Sequence, residues 1–119
     1  MTEGFNSKTS EEFFQQELIE YLEEYEKELG KTLSQSMVNK YSIVIGYGIE
    51  CICLQGATGF EEITLSMVSS KLHADFESNT QEGVSRKHIA EIMYKFFSFI
   101  YDRYGIRNEK LMKQLERKK

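Results

Sequence analysis

From position 9 onward, apolar residues recur every three or four positions, interrupted by short polar or glycine-containing breaks. Phe14, Leu18, Tyr21, Leu22, Tyr25 and Leu29 fall at spacings of four, three, one, three and four, which lines them along one face of a helix with 3.6 residues per turn. Thr9 with Glu12 three residues later has the form of a capping box, and Glu11 and Glu12 bring negative charge to the first turn. The pattern predicts a helix over 9–29, closed by Gly30 in a positive-φ conformation.

The most apolar stretch follows, over 33–54, and after Lys40 its one charge is Glu50. It reads in two ways. As a helix, Met37, Tyr41, Val44, Ile45, Gly48 and Ile52 share a stripe behind polar Ser34, Gln35 and Ser36. As a strand, Ile43, Ile45, Tyr47, Ile49, Cys51 and Cys53 alternate, and β-branched and aromatic residues suit a strand. Gly46 and Gly48 would each cost a helix about 1 kcal/mol. Length favours the helix, because no strong turn signal divides the stretch and it is long for a strand. A helix over 34–54 with Ser34 as N-cap is the expectation.

Gln55, Gly56, Ala57, Thr58 and Gly59 form a loop by composition. Thr64 then caps a third helix over 64–76, its apolar face carried by Leu65, Val68, Leu72 and Phe76. After a polar loop, Ser85 caps a fourth helix over 85–104 with Ile89, Ile92, Met93, Phe96, Phe97 and Ile100 as its core stripe, and Gly105 ends it. Asn108 caps a last helix over 108–117. So short a helix is unstable alone. Its apolar side, Leu111, Met112 and Leu115, therefore docks on its own domain or on a partner, and those three residues are candidates for partner binding. Residues 1–8 are expected to be a flexible terminus. The whole predicts one all-α domain of four to five helices.

Composition supports this. The chain has 119 residues, 40% of them hydrophobic, enough for a single core, and no proline to break its helices. It has no uninterrupted apolar run of membrane-spanning length, and its N-terminus is polar and acidic. The expectation is a cytoplasmic protein with no signal peptide and no membrane partner. The formal net charge of −4 hides a gradient: residues 1–30 hold nine acids and two bases, and residues 83–119 hold ten bases and four acids.

Candidate chemistry is sparse. Cys51 and Cys53 lie in the apolar stretch as buried thiols do, and His73 and His88 are in no ligand spacing with them. Gly56 and Gly59 precede no lysine, so they make no phosphate cradle. The glutamates of the first helix form a solvated ridge; Glu50 is expected at the solvent edge of its helix, the alternative being a buried carboxylate with a functional partner, which unpaired burial makes costly. Phe96, Phe97, Phe99, Tyr101 and Tyr104 could stack bases, but their helical spacing favours core. No catalytic residue, cofactor or metal is expected, nor an enzyme.

The polar groups at two helix starts carry more information. Ser34, Ser36, Asn39 and Lys40 crowd the second helix's first turns, and Ser85, Arg86, Lys87 and His88 crowd the fourth's. Hydroxyls and cations at a helix N-terminus suit phosphate contact. Serine also caps helices and lysine solubilises them, and spacing alone favours that plainer reading.

Several of these stretches resemble the SAM-like core-binding domain of tyrosine recombinases, the phage integrases. Leu33-Ser34 followed by Tyr41 is similar to the L-S-x-x-T-x-x-x-Y opening of that domain's second helix, with Met37 in place of the threonine. Glu62-Ile63-Thr64 resembles the entry to its third helix. Ser85-Arg86-Lys87-His88-Ile89, followed by Phe96-Phe97-Ser98-Phe99-Ile100, resembles its fourth. The resemblance spans about residues 10–108 and implies an orthogonal bundle that approaches double-stranded DNA with helices 2 and 4. By position it makes Ser34, Ser36, Lys40, Arg86 and Lys87 the candidate DNA contacts.

The family's catalytic arginines, histidine and nucleophilic tyrosine lie in a separate domain, so a small non-catalytic regulator of a mobile element, binding DNA or a DNA-bound complex, is expected. The second helix is more apolar than the family pattern, and the net charge is negative. Those departures sustain the alternative: a protein-interaction module or homodimeric regulator with no DNA contact of its own.

Overall fold

The computed structural model describes residues 9–68 and 86–118, the side chains of Arg86 and Lys87 excepted. These residues form α1 (Ser10–Leu29), α2 (Gln35–Leu54), a 3-10 turn (Phe60–Glu62), α3 (Leu65–Val68), α4 (Arg86–Tyr104) and α5 (Glu109–Lys118), with no strand among them. The protein is an all-α helical bundle. The second half of the predicted third helix, with Leu72 and Phe76, and the Ser85 cap lie outside the described residues.

α1 begins as its sequence dictates. The Thr9 hydroxyl accepts from the Glu12 amide at 3.1 Å, and the Glu12 carboxylate accepts from the Thr9 amide at 2.8 Å. Two of the orphan donors of a helix start are thereby satisfied.

Its end departs from expectation. Gly30 keeps right-handed helical torsions, φ −63°. The Lys31 amide donates to the Glu28 carbonyl and the Thr32 amide to that of Leu29, so the helix unwinds through tight turns instead of reversing at a left-handed residue.

α2 is helical throughout, which settles 43–54 against the strand. The Ser34 hydroxyl accepts from the Met37 amide at 3.3 Å. At the far end Gly56 takes φ +89°. The Gly56 amide donates to the Cys53 carbonyl and the Ala57 amide to that of Ile52. That is a Schellman closure, and Ala57, the residue after its glycine, is buried. The buried side of α2 comprises Val38, Tyr41, Val44, Ile45, Gly48, Ile49, Cys51 and Ile52. Val38, not Met37, opens the core stripe: Val38 is buried, whereas Met37 at the edge of that stripe is 38% exposed.

α2 packs against α1, α3 and α4, and α4 packs against both α1 and α5. Ile89, Ile92, Met93, Phe96, Phe97 and Ile100 are buried as expected, whereas Tyr101 and Tyr104 of the aromatic run are exposed.

Phe60 joins three elements. Its ring lies 5.3 Å from Phe14, 6.1 Å from Tyr21 and 6.3 Å from Phe97, distances at which aromatic pairs attract. Asn108 locks the same corner. Its side-chain oxygen accepts from the Leu111 amide, capping α5, while its amide nitrogen donates to the carbonyls of Phe60 and Ile63 at 2.7 and 3.0 Å.

Leu111, Met112 and Leu115 are 2%, 4% and 0% exposed. As partner-binding candidates they are therefore corrected: their apolar side is spent within the chain, against α4 and α3.

α2 is long and apolar enough to cross a membrane by length and composition, with a mean hydropathy of 1.2 over its best 18 residues. In the fold it is the central core helix, wedged between α1, α3 and α4.

Candidate interaction surface

The core uses one side of α2 and leaves an apolar remainder. Ile43 is 52% exposed, Leu54 73% and Met37 38%, and Tyr47 is also exposed. Lys40, Ile43, Tyr47, Glu50 and Leu54 follow one another at spacings of three, four, three and four, so they form a single line along the helix. Glu50 is exposed, as the sequence suggested. Beside this line Gly46 leaves a gap, since a Cβ built there meets nothing within 4 Å.

The DNA candidates are placed as follows. Ser34 and Ser36 are exposed and Lys40 is half-buried, all within the first turns of α2. The Ser34 hydroxyl is occupied as the helix cap. Beside them, a groove of about 510 Å³ between α1 and α2 brings Glu23 and Glu26 next to Gln35 and Asn39. The start of α2 thus carries carboxylates from its neighbour, a poor setting for phosphate. Arg86 and Lys87 open α4, and their side chains lie outside the described residues.

Cations elsewhere on α4 are engaged. Lys95 donates to the Tyr41 hydroxyl at 3.3 Å and pairs with Glu91 at 3.4 Å. Hydrogen bonding to Tyr41 raises its pKa above the usual lysine range. Arg103 lies 3.5 Å from Glu24 and 3.7 Å from Glu28, and stacks over Phe99. Lys95 and Arg103 line a groove of about 760 Å³ between α1 and α4 together with Glu28, Glu91 and Asp102, so its cations are outnumbered by carboxylates. On α5, by contrast, Lys110, Lys113 and Arg117 stand exposed along one line.

No group of three or more histidine, cysteine or acidic side chains among the described residues is arranged to hold a metal. Cys51 is buried, and burial, helped by the charge of Glu11, pushes the Cys53 thiol up, which keeps it protonated and unreactive.

The outward stripe of α2 was not singled out from sequence. Its signal was present: once the core stripe is phased on Val38, Tyr41, Ile45 and Ile52, the apolar residues left over, Ile43, Tyr47 and Leu54, align on the opposite side.

Compared with protein families, with curated proteins and with solved structures, the chain has no match.

Proposed function

We propose that the protein is an interaction module that docks through the outer face of α2. The observation that carries this reading is the exposure of Ile43, Tyr47 and Leu54 in one line on a helix whose other side is the core. Scattered apolar residues are normal on a surface, but an aligned set on a rigid element is the form of a docking face.

The test is site-specific photocrosslinking in the expressing cell. A crosslinking residue at Tyr47 should give a discrete adduct, and one at Glu20 of α1 should give none. Equal labelling from both positions, or no adduct from 43, 47 or 54, overturns the reading.

A second reading keeps the likeness to the recombinase core-binding domain, with double-stranded DNA as ligand. The basic line of α5 favours it, and the carboxylates beside the start of α2 weigh against it. Under that reading Lys110→Glu with Lys113→Glu abolishes a salt-sensitive mobility shift. No shift with any duplex at low salt removes it.

A further inference from the structure

We infer that the occupant of the α2 face is a second copy of the same chain, its α2 antiparallel to the first across a two-fold axis level with Ile45. This rests on the docking reading and specifies its partner.

Two charges on the outer face of α2 are left unmatched. Neither Lys40 nor Glu50 has an ion-pair partner among the described residues. They cannot serve each other: ten residues of helix separate them by about 15 Å. Both stand on the apolar line, at its two ends around Ile43 and Tyr47.

A two-fold contact is isologous, so if residue i meets residue j then j meets i. Antiparallel pairing centred midway between Ile43 and Tyr47 puts Lys40 against Glu50 of the second copy and Ile43 against Tyr47, each twice. Parallel pairing would set Lys40 against Lys40 and Glu50 against Glu50. The spacing of three and four is that of helix–helix seams, in which antiparallel partners interleave alternate positions. Gly46, beside the axis, lets the backbones approach, because the space its side chain would fill is open. The sign and position of each charge thus select one partner and one orientation. Contact confined to one helix from each side is small, so the dimer is expected to be weak, with a Kd of roughly ten to a hundred micromolar.

Sedimentation equilibrium over a wide concentration range tests it. The wild type should shift from monomer to dimer. Ile43→Asp, and separately Gly46→Gln, should remain monomeric with unchanged helicity by circular dichroism. The second variant fills space that is empty in the single copy, so its folding is not at risk. Lys40→Glu alone and Glu50→Lys alone should each weaken the dimer about tenfold, and combining both in one chain should restore it.

A wild type that stays monomeric at the highest concentration overturns the proposal. So does a dimer indifferent to Ile43→Asp and Gly46→Gln, or single charge reversals without effect, since parallel pairing would tolerate them. A monomeric chain that still crosslinks from Tyr47 to another protein removes the second copy and leaves the docking reading standing, whereas no adduct removes both.

Discussion

Gly30 and Gly105 each follow a predicted helix and look alike in the sequence, yet only one needs to be glycine. Gly105 adopts φ +74°, and its amide donates to the Tyr101 carbonyl at 2.8 Å. Gly30 is helical, and the nearest atom to a Cβ built there is the Glu26 carbonyl oxygen at 3.4 Å, an ordinary contact. Gly30→Ala should therefore stabilise the fold by about 0.4–1 kcal/mol through reduced freedom of the unfolded chain. Gly105→Ala should destabilise it by roughly 1–2 kcal/mol, the cost of a side chain in the left-handed region. Parallel thermal melts check both signs; a drop in Tm for Gly30→Ala would refute the comparison. The sequence could not separate these glycines because the difference lies in how the chain leaves the helix, which is decided by the turn hydrogen bonds at Lys31 and Thr32.

Among the elements, α5 depends most on a single residue outside itself. It is ten residues long, and Asn108 both caps it and holds the carbonyls of Phe60 and Ile63. Asn108→Ala should cost more than an ordinary cap, about 2 kcal/mol or more, because the part-buried carbonyls of Phe60 and Ile63 each lose a donor as well. Leu115→Ala, at a fully buried site, should cost about 2–5 kcal/mol. Native-state hydrogen exchange should show α5 amides opening early in both variants while α1 amides keep their protection; uniform loss across the chain would show that the helix is no separate unit. The caps at Thr9, Ser34 and Asn108 were legible because each is a local pattern three residues long. The long-range half of Asn108's role was not, since the carbonyls it reaches lie more than forty positions away and carry no side-chain signature.

Across the whole molecule, tyrosines stitch α1 to α4. Tyr25 stacks on Phe96 and Phe99, and Tyr104 donates to Glu24 beside Arg103. Burial pushes the Tyr25 phenol up to about 12 from its ordinary 10.0, and Tyr21 is raised too, by burial and by donation to Glu17. An unfolded tyrosine releases its proton near 10 and the folded Tyr25 only near 12. The stability held by the neutral phenol is complete below pH 10 and is lost as pH rises toward 12. Unfolding and phenolate absorbance should therefore rise together over that interval. Tyr25→Phe should flatten the dependence, and ionisation of all tyrosines well before unfolding would contradict it.

At this scale the all-helical class was readable, because 3.6-residue periodicity and the absence of proline both bear on it. The outward face of α2 was hidden, because an apolar run of twenty residues does not reveal which part the core will cover until its neighbours are in place.

The packing of α4 against both α1 and α5 has one more effect. α1 holds eight glutamates and one lysine, while α5 holds four bases and two acids, and no Cα of one helix comes within 8 Å of the other. The molecule is thus an electric dipole with its poles set apart by a layer of core. In the field of a charged body it should turn before it arrives, presenting α5 to an anionic surface and α1 to a cationic one. That steering reaches about 10 Å at 0.1 M salt and shrinks as ionic strength rises.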